Sequence, residues 1–131
     1  MNYGVSQYRQ TEVLTASRVQ VVVLLYDGAL QSMKLAQTGI LQNNLADKAR
    51  FLRRALTIVA ELSNVLDMER GGDIATSLRR IYDYVTDELT QANVKHEAAR
   101  IDGPIRCLST LREAWEQVAK QQQALPQAVG G

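Results

Sequence analysis

Few side chains in this chain could do chemistry. There is one histidine, His96, and one cysteine, Cys107. Acids cluster at Asp87-Glu88 and at Glu113 and Glu116, and Gly71-Gly72 is the one glycine pair before the C-terminus. A carboxylate-bridged di-iron bundle needs Glu-x-x-His pairs, but Asn93 stands three residues before His96. A phosphate cradle needs a longer glycine-rich loop ending in lysine, and Gly71-Gly72 runs into Asp73. Neither Cys-x-x-Cys nor Gly-x-Ser-x-Gly is present. Cys107 lies in an apolar helical pattern, which suits a buried, inert thiol, and a single cysteine forms no intrachain disulfide. His96 lies among charges near a helix end and reads as solvated. Glu113, Glu116, Asp87 and Glu88 are spaced as wet helix faces, and Arg53-Arg54 and Arg79-Arg80 are isolated pairs rather than a basic stripe. With a net charge of +1, nothing favours nucleic acid or an acidic membrane. The expectation is a protein that is not an enzyme, with no catalytic residue, no metal ligand and no cofactor.

What the chain has in surplus is apolar helix surface. From Val19 to Leu30 the sequence is VQVVVLLYDGAL. At 100° per residue, Val19, Val22, Val23, Tyr26, Leu30, Met33 and Ile40 form one stripe. Val21, Leu25, Gly28, Ser32, Leu35 and Gly39 form a second, leaving a narrow polar strip at Gln20, Asp27, Gln31, Lys34 and Thr38. A corner helix of a bundle buries one such stripe, so the second requires a cover.

The pattern predicts an all-α fold, an antiparallel up-down-up-down four-helix bundle with an extended N-terminal arm. Residues 1–15, with Tyr3 and Tyr8, lack strong periodicity and read as the arm. Residues 1–123 form a single helical-bundle domain, and 124–131 a loose tail. Helix 1 starts at Thr15 or Ser17 and runs to about Leu41. Asn44 caps helix 2 with Asp47 at its third position, and the helix continues to about Arg70 along Leu45, Leu52, Leu56, Val59 and Leu66. Gly71-Gly72-Asp73 then reads as a stop and restart, with a left-handed glycine and Asp73 as the next cap. Helix 3 carries Ile74, Leu78, Ile81, Tyr82, Val85, Leu89 and Ala92, and helix 4 carries Ile101, Ile105, Leu108, Leu111, Trp115 and Val118. Pro104 fits only near the start of helix 4. Tyr26, Met33, Leu66 and Trp115 are expected in the core, with Trp115 between helices 1 and 3. The N-terminus has no basic start followed by an apolar run, and Val19–Leu25 is too short to span a bilayer, so a soluble cytoplasmic protein without membrane insertion is expected.

Val21, Leu25, Phe51, Ile58 and Val65 lie at the edges of oversized apolar arcs. They either complete the core of an irregular bundle or line an apolar groove. In the second case Gly28, Ser32 and Gly39 would let a foreign backbone come close, as in helix-in-groove recognition. A third use of this face is a permanent seam between two copies, which would make the chain a structural or homodimerising subunit with no client.

The motifs also resemble a known family. Thr15-Ala16-Ser17, Leu25-Tyr26-Asp27-Gly28-Ala29-Leu30, Arg54-Ala55, Glu61-Leu62, Leu66-Asp67-Met68-Glu69-Arg70-Gly71-Gly72, Ile74-Ala75, Ile81-Tyr82-Asp83-Tyr84, Ala92-Asn93 and Leu111-Arg112-Glu113-Ala114-Trp115 stand in the order of the flagellin export chaperones, FliS, from about Tyr8 to Val118. The resemblance implies a cytoplasmic chaperone that binds the C-terminal segment of flagellin, stops premature polymerisation and delivers the subunit to the flagellar type III export gate, the cytoplasmic domain of FlhA. It implies a monomer or homodimer whose N-terminal tyrosine segment covers an apolar groove in the absence of client, with Tyr8 as the covering residue. Tyr8, Val21, Leu25, Gly28, Phe51, Ile58 and Val65 are thus the expected groove residues. The chain departs from the family's usual pattern at Arg18, where proline normally follows Thr-Ala-Ser, and at Pro104, where an aliphatic residue is usual.

Overall fold

A computed structural model describes the backbone of residues 3–124 and the side chains of 18–122. Four α-helices follow one another: α1 Tyr3–Leu41, α2 Leu45–Asn64, α3 Met68–Lys95 and α4 Asp102–Ala124, with a short 3-10 turn, Ala98–Ile101, before the last. No strand occurs among the described residues. The helices form the expected antiparallel bundle. The backbone of α2 at Lys48 lies against Gly39 of α1, and Ile58 lies against Gly28. Gln37 donates to Ala98 O at 3.0 Å and to Asp102 Oδ1 at 2.7 Å, while Asp27 pairs with Arg112, so α4 also runs opposite to α1. α1 therefore neighbours both α2 and α4 and faces α3 across the diagonal.

The extended N-terminal arm is corrected: the backbone of residues 3–15 is helical and continues into α1 without a break, so neither Thr15 nor Ser17 caps a helix. Arg18 supplies the reason. A proline there would remove a backbone donor and crowd the preceding turn, whereas arginine carries the helix through. The Tyr8 side chain lies outside the described residues, as does the 125–131 part of the predicted tail.

Local chemistry sets the first corner as expected. Asn43 ends α1 in the left-handed conformation (φ 54°), and the Asn44 backbone N–H donates to Gly39 O at 2.8 Å. The Asn44 side chain then accepts from the Asp47 N–H at 3.1 Å and donates to the Asp47 carboxylate at 3.0 Å, a reciprocal cap. A Cβ on Gly39 would stand 2.8 Å from Lys48 N, so this glycine serves the α1–α2 contact rather than a foreign chain.

The second corner differs from the prediction. α2 ends at Asn64, not near Arg70, and α3 begins at Met68. Asp67, not Asp73, is the cap of α3: its carboxylate accepts from the Arg70 N–H at 3.0 Å. An aspartate ahead of the glycines restarts the helix early, because a side-chain acceptor satisfies the first free N–H groups. Gly71 and Gly72 consequently lie inside α3, where Gly72 makes a kink at φ 51°, ψ −128°.

Beyond the kink the buried residues of α3 are Ala75, Leu78, Tyr82, Val85, Leu89 and Ala92, a regular alternation of three and four. That seam places Ala75 inside and turns Ile74, predicted as core, out to 74% exposure. Leu45, predicted on the apolar line of α2, is also exposed, while Leu52, Ala55, Val59 and Leu62 form its seam. Pro104 sits in the first turn of α4, as its missing N–H requires, and is buried. His96 is exposed and closes α3 in the left-handed conformation, its Nδ1 3.0 Å from Lys48 Nζ.

The kink at Gly72 yields a direct test. Its conformation is closed to residues with a Cβ, although the space beside it is open. Gly72→Val should lower unfolding free energy by about 1–2 kcal/mol in urea denaturation. An unchanged midpoint would mean that the corner does not require glycine.

Candidate functional site

The interior of the bundle is joined by hydroxyls. Tyr26 of α1 and Tyr82 of α3 are both buried, and their hydroxyls hydrogen-bond to each other across the diagonal. Their rings are tilted at 56° with centroids 6.4 Å apart. The Trp115 indole N–H of α4 donates to the Tyr26 hydroxyl at 3.2 Å. Three helices thus share one polar point in the core. Burial pushes both phenol pKa values up, because a phenolate would lose its hydration there. The hydrogen bonds from Tyr82 and Trp115 oppose that rise at Tyr26 without reversing it.

Trp115 is not the enclosed core residue predicted from the sequence. It is half-buried and packs on the edge of the core. The remainder of its ring meets an open apolar trough between α3 and α4. One part of the trough, about 340 Å³, runs along Val65, Leu66, Gly71, Ile74, Ala75, Leu78 and Trp115, with Asp67 and Arg70 at its corner end. The other, about 210 Å³, is lined by Ile74, Leu78, Leu111, Ala114, Trp115 and Val118. The Gly72 kink and the Asp67 cap shape the first part, since both lie in the corner that closes it. The second exists because α4 presents Leu111, Ala114 and Val118 toward α3 with only Ile74 and Leu78 opposite them.

The opposite side of α4 is charged. Arg112 donates through Nε to Asp27 of α1 at 2.6 Å and through a terminal nitrogen to Glu116. These partners, Asp27 first, raise the guanidinium pKa further above its ordinary value. Two clefts flank Arg112: one of about 430 Å³ is lined mainly by polar and charged residues, among them Asp27, Gln31, Lys34 and Glu113, and one of about 410 Å³ mixes Asp27, Glu116 and Lys120 with Val23, Leu24 and Ala119. Glu113 and Glu116, read from the sequence as part of a wet helix face, both pair with Arg112.

The structure divides the predicted groove residues. Val21 and Val65 are half exposed, at 50% and 53%. Leu25, Phe51 and Ile58 are partly buried and pack against the core. Gly28 lies under Ile58, whose Cδ1 would be 3.1 Å from an added Cβ, so this glycine is used within the α1–α2 contact, and Ser32 is fully buried. Of the six whose side chains are described, Val65 alone lines the α3–α4 trough. Ile74, Leu78, Leu111, Ala114 and Val118 were read from the sequence as core or as plain helix. A usable signal was present: Ile74 adjoins a glycine pair, and the phase after such a break is not that of the helix before it.

The bundle thus carries an apolar trough open on one side, and no group of three potential metal ligands occurs among the described residues. No helix among the described residues is long and apolar enough to cross a membrane. By comparison with known proteins, the chain belongs to the FliS family: a family model described as flagellar protein FliS matches residues 1–122. It is similar to the flagellar secretion chaperone FliS of Salmonella typhimurium, with 35% identity over 121 residues, 88% of this chain and 90% of the relative. It is similar also to that of Vibrio cholerae, 32% over 108 residues (82% and 79%), and of Bacillus subtilis, 28% over 124 residues (95% and 92%). FliS is a family of chaperones, not of enzymes, and its role is in flagellar export.

The buried phenols make alkaline stability diagnostic. Above the ordinary tyrosine pKa of 10.0, the unfolded chain releases protons that the folded chain keeps on Tyr26 and Tyr82. Their contribution is complete below that pH and is lost as pH rises through it, at roughly 1.4 kcal/mol per pH unit for each phenol. Denaturation midpoints should therefore fall on the alkaline side, and ultraviolet titration should show two phenols that ionise only with unfolding. Five phenols titrating together in the folded protein would contradict this.

Proposed function

We propose that this chain binds the C-terminal segment of flagellin in the cytoplasm, keeps it from polymerising, and passes it to the flagellar export gate. The observation that carries this reading is the α3–α4 trough, with Ile74 exposed at 74% beside the half-buried Trp115, in a chain whose relatives are named flagellar secretion chaperones. An amphipathic segment that packs in a filament exposes an apolar face when free, and such a face associates by removing apolar area from water. A receptor for it needs apolar area with little net charge, and the chain carries a net charge of +1. Val21, Leu25, Phe51, Ile58 and Val65 extend this surface along the α1–α2 edge, with Val65 common to both faces, and Tyr8 is the proposed competitor for it when no client is bound.

Charge substitutions separate the two faces. Ile74→Glu places a carboxylate where the side chain is already wet. It should leave the melting curve unchanged and weaken binding of a flagellin C-terminal peptide at least tenfold in calorimetry, about 1.4 kcal/mol. Ile58→Glu and Leu25→Glu bring charge against the core and should lower stability as well. Light scattering of the protein with and without peptide checks the stoichiometry. A stable homodimer that ignores the peptide would favour the reading as a structural subunit. Deleting residues 1–10 should tighten peptide binding by at most about a hundredfold, since one aromatic side chain contributes no more than ~3 kcal/mol of cover; weaker binding would mean that Tyr8 touches the client.

A further inference from the structure

Trp115 is the only tryptophan of the chain. It belongs to two environments at once. Its indole N–H is committed to the Tyr26 hydroxyl, and with Ile74 and Leu78 its ring lines both parts of the trough. A half-buried indole at the edge of a bundle has several rotamers open to it, and a single directional hydrogen bond to a fixed acceptor selects among them. The acceptor is fixed here. Tyr26 is fully buried and its ring is packed in the core, which places its hydroxyl. Tyr26 lines neither part of the trough, yet among the described residues it is the group to which the indole N–H is bonded.

We propose that Tyr26 is a positioning residue for the binding trough: its buried hydroxyl holds the Trp115 ring in place as the wall between the two apolar hollows, so that the trough selects a segment with apolar side chains on both sides of that ring. The larger hollow, at the Gly72 corner, takes the bulkier side chain, and the smaller, between Leu78 and Val118, takes the lesser one. A wall fixed before binding lowers the ordering cost of the complex, which a mobile indole would add to. This inference rests on the reading of the trough as a client site, and its test can fail independently of that reading.

The test compares Tyr26→Phe with Tyr82→Phe. Each removes one hydroxyl from the same buried pair and keeps the ring, but only the first removes the acceptor of Trp115. In free Tyr26→Phe, tryptophan emission should shift and acrylamide quenching should rise about twofold, while Tyr82→Phe stays as wild type. A flagellin C-terminal peptide should bind Tyr26→Phe about tenfold more weakly and Tyr82→Phe within about twofold of wild type. Trp115→Phe, which keeps an aromatic ring but has no N–H, should weaken binding similarly, and the double variant with Tyr26→Phe should be no worse than either alone. Unchanged emission and quenching in Tyr26→Phe overturn the proposal, as do equal losses of affinity in the two tyrosine variants, which would mean that the pair acts through stability alone. If Tyr26→Phe does not fold, Trp115→Phe decides: wild-type affinity in that variant overturns the proposal. If wild type ignores the peptide, the flagellin reading fails, and the spectra of the free proteins still decide whether Tyr26 holds the indole.

Discussion

A phenol hydroxyl buried without a partner destabilises a fold by roughly 1–3 kcal/mol, and this bundle buries two phenols at its centre. Tyr26 and Tyr82 resolve the problem for each other, across a diagonal along which the helices themselves do not pack. That bond constrains much of the remainder. It sets the rotation of α1 so that Ala29, Met33 and Ala36 follow Tyr26 inward, and that of α3 so that Val85 and Leu89 follow Tyr82. It also offers one remaining acceptor site, which α4 takes through Trp115.

The apolar trough is a consequence of the same arrangement. α4 is held to α1 by Arg112 and Asp27 on one side and by Trp115 and Tyr26 on the other. With α4 drawn toward α1, its approach to α3 is loose, and the interval between Ile74 and Val118 stays open. A bundle of four equally packed helices would have no such interval. The ion pairs of Arg112 lie on the far side of α4, so the two faces of one helix are divided between a charged surface and the apolar trough.

The second corner links backbone geometry to the site. Asp67 starts α3 before the glycines, and Gly72 then bends it. The bend lets Gly71 lie against Ala75, where a Cβ would come within 2.6 Å of the alanine methyl. It brings Leu66 and Val65 to the end of the trough. The run Leu66-Asp67-Met68-Glu69-Arg70-Gly71-Gly72, which carries much of the family likeness, is therefore the segment that closes one end of the proposed binding surface.

The sequence by itself determined the fold class, the number of helices, the Asn44 cap, the place of Pro104 and the absence of any recognisable catalytic motif. These depend on local periodicity, on capping chemistry and on residue types, all readable within a few positions. Its family motifs also identified the chain correctly. It misplaced the start of α1, because the effect of Arg18 in place of a helix-breaking proline depends on the helical preference of the whole preceding segment. It misplaced the second corner, because Asp67 and Asp73 are equally good caps and only packing chooses between them. The groove reading looked for surplus apolar area on α1 and α2, where it is evident in the pattern. Only the tertiary structure decided that Gly28 and Gly39 lie against α2, and that an apolar trough also opens between α3 and α4. Neither of those helices is unusually apolar; the trough arises from how far apart they stand, and a distance between helices is set by contacts among residues remote in the chain.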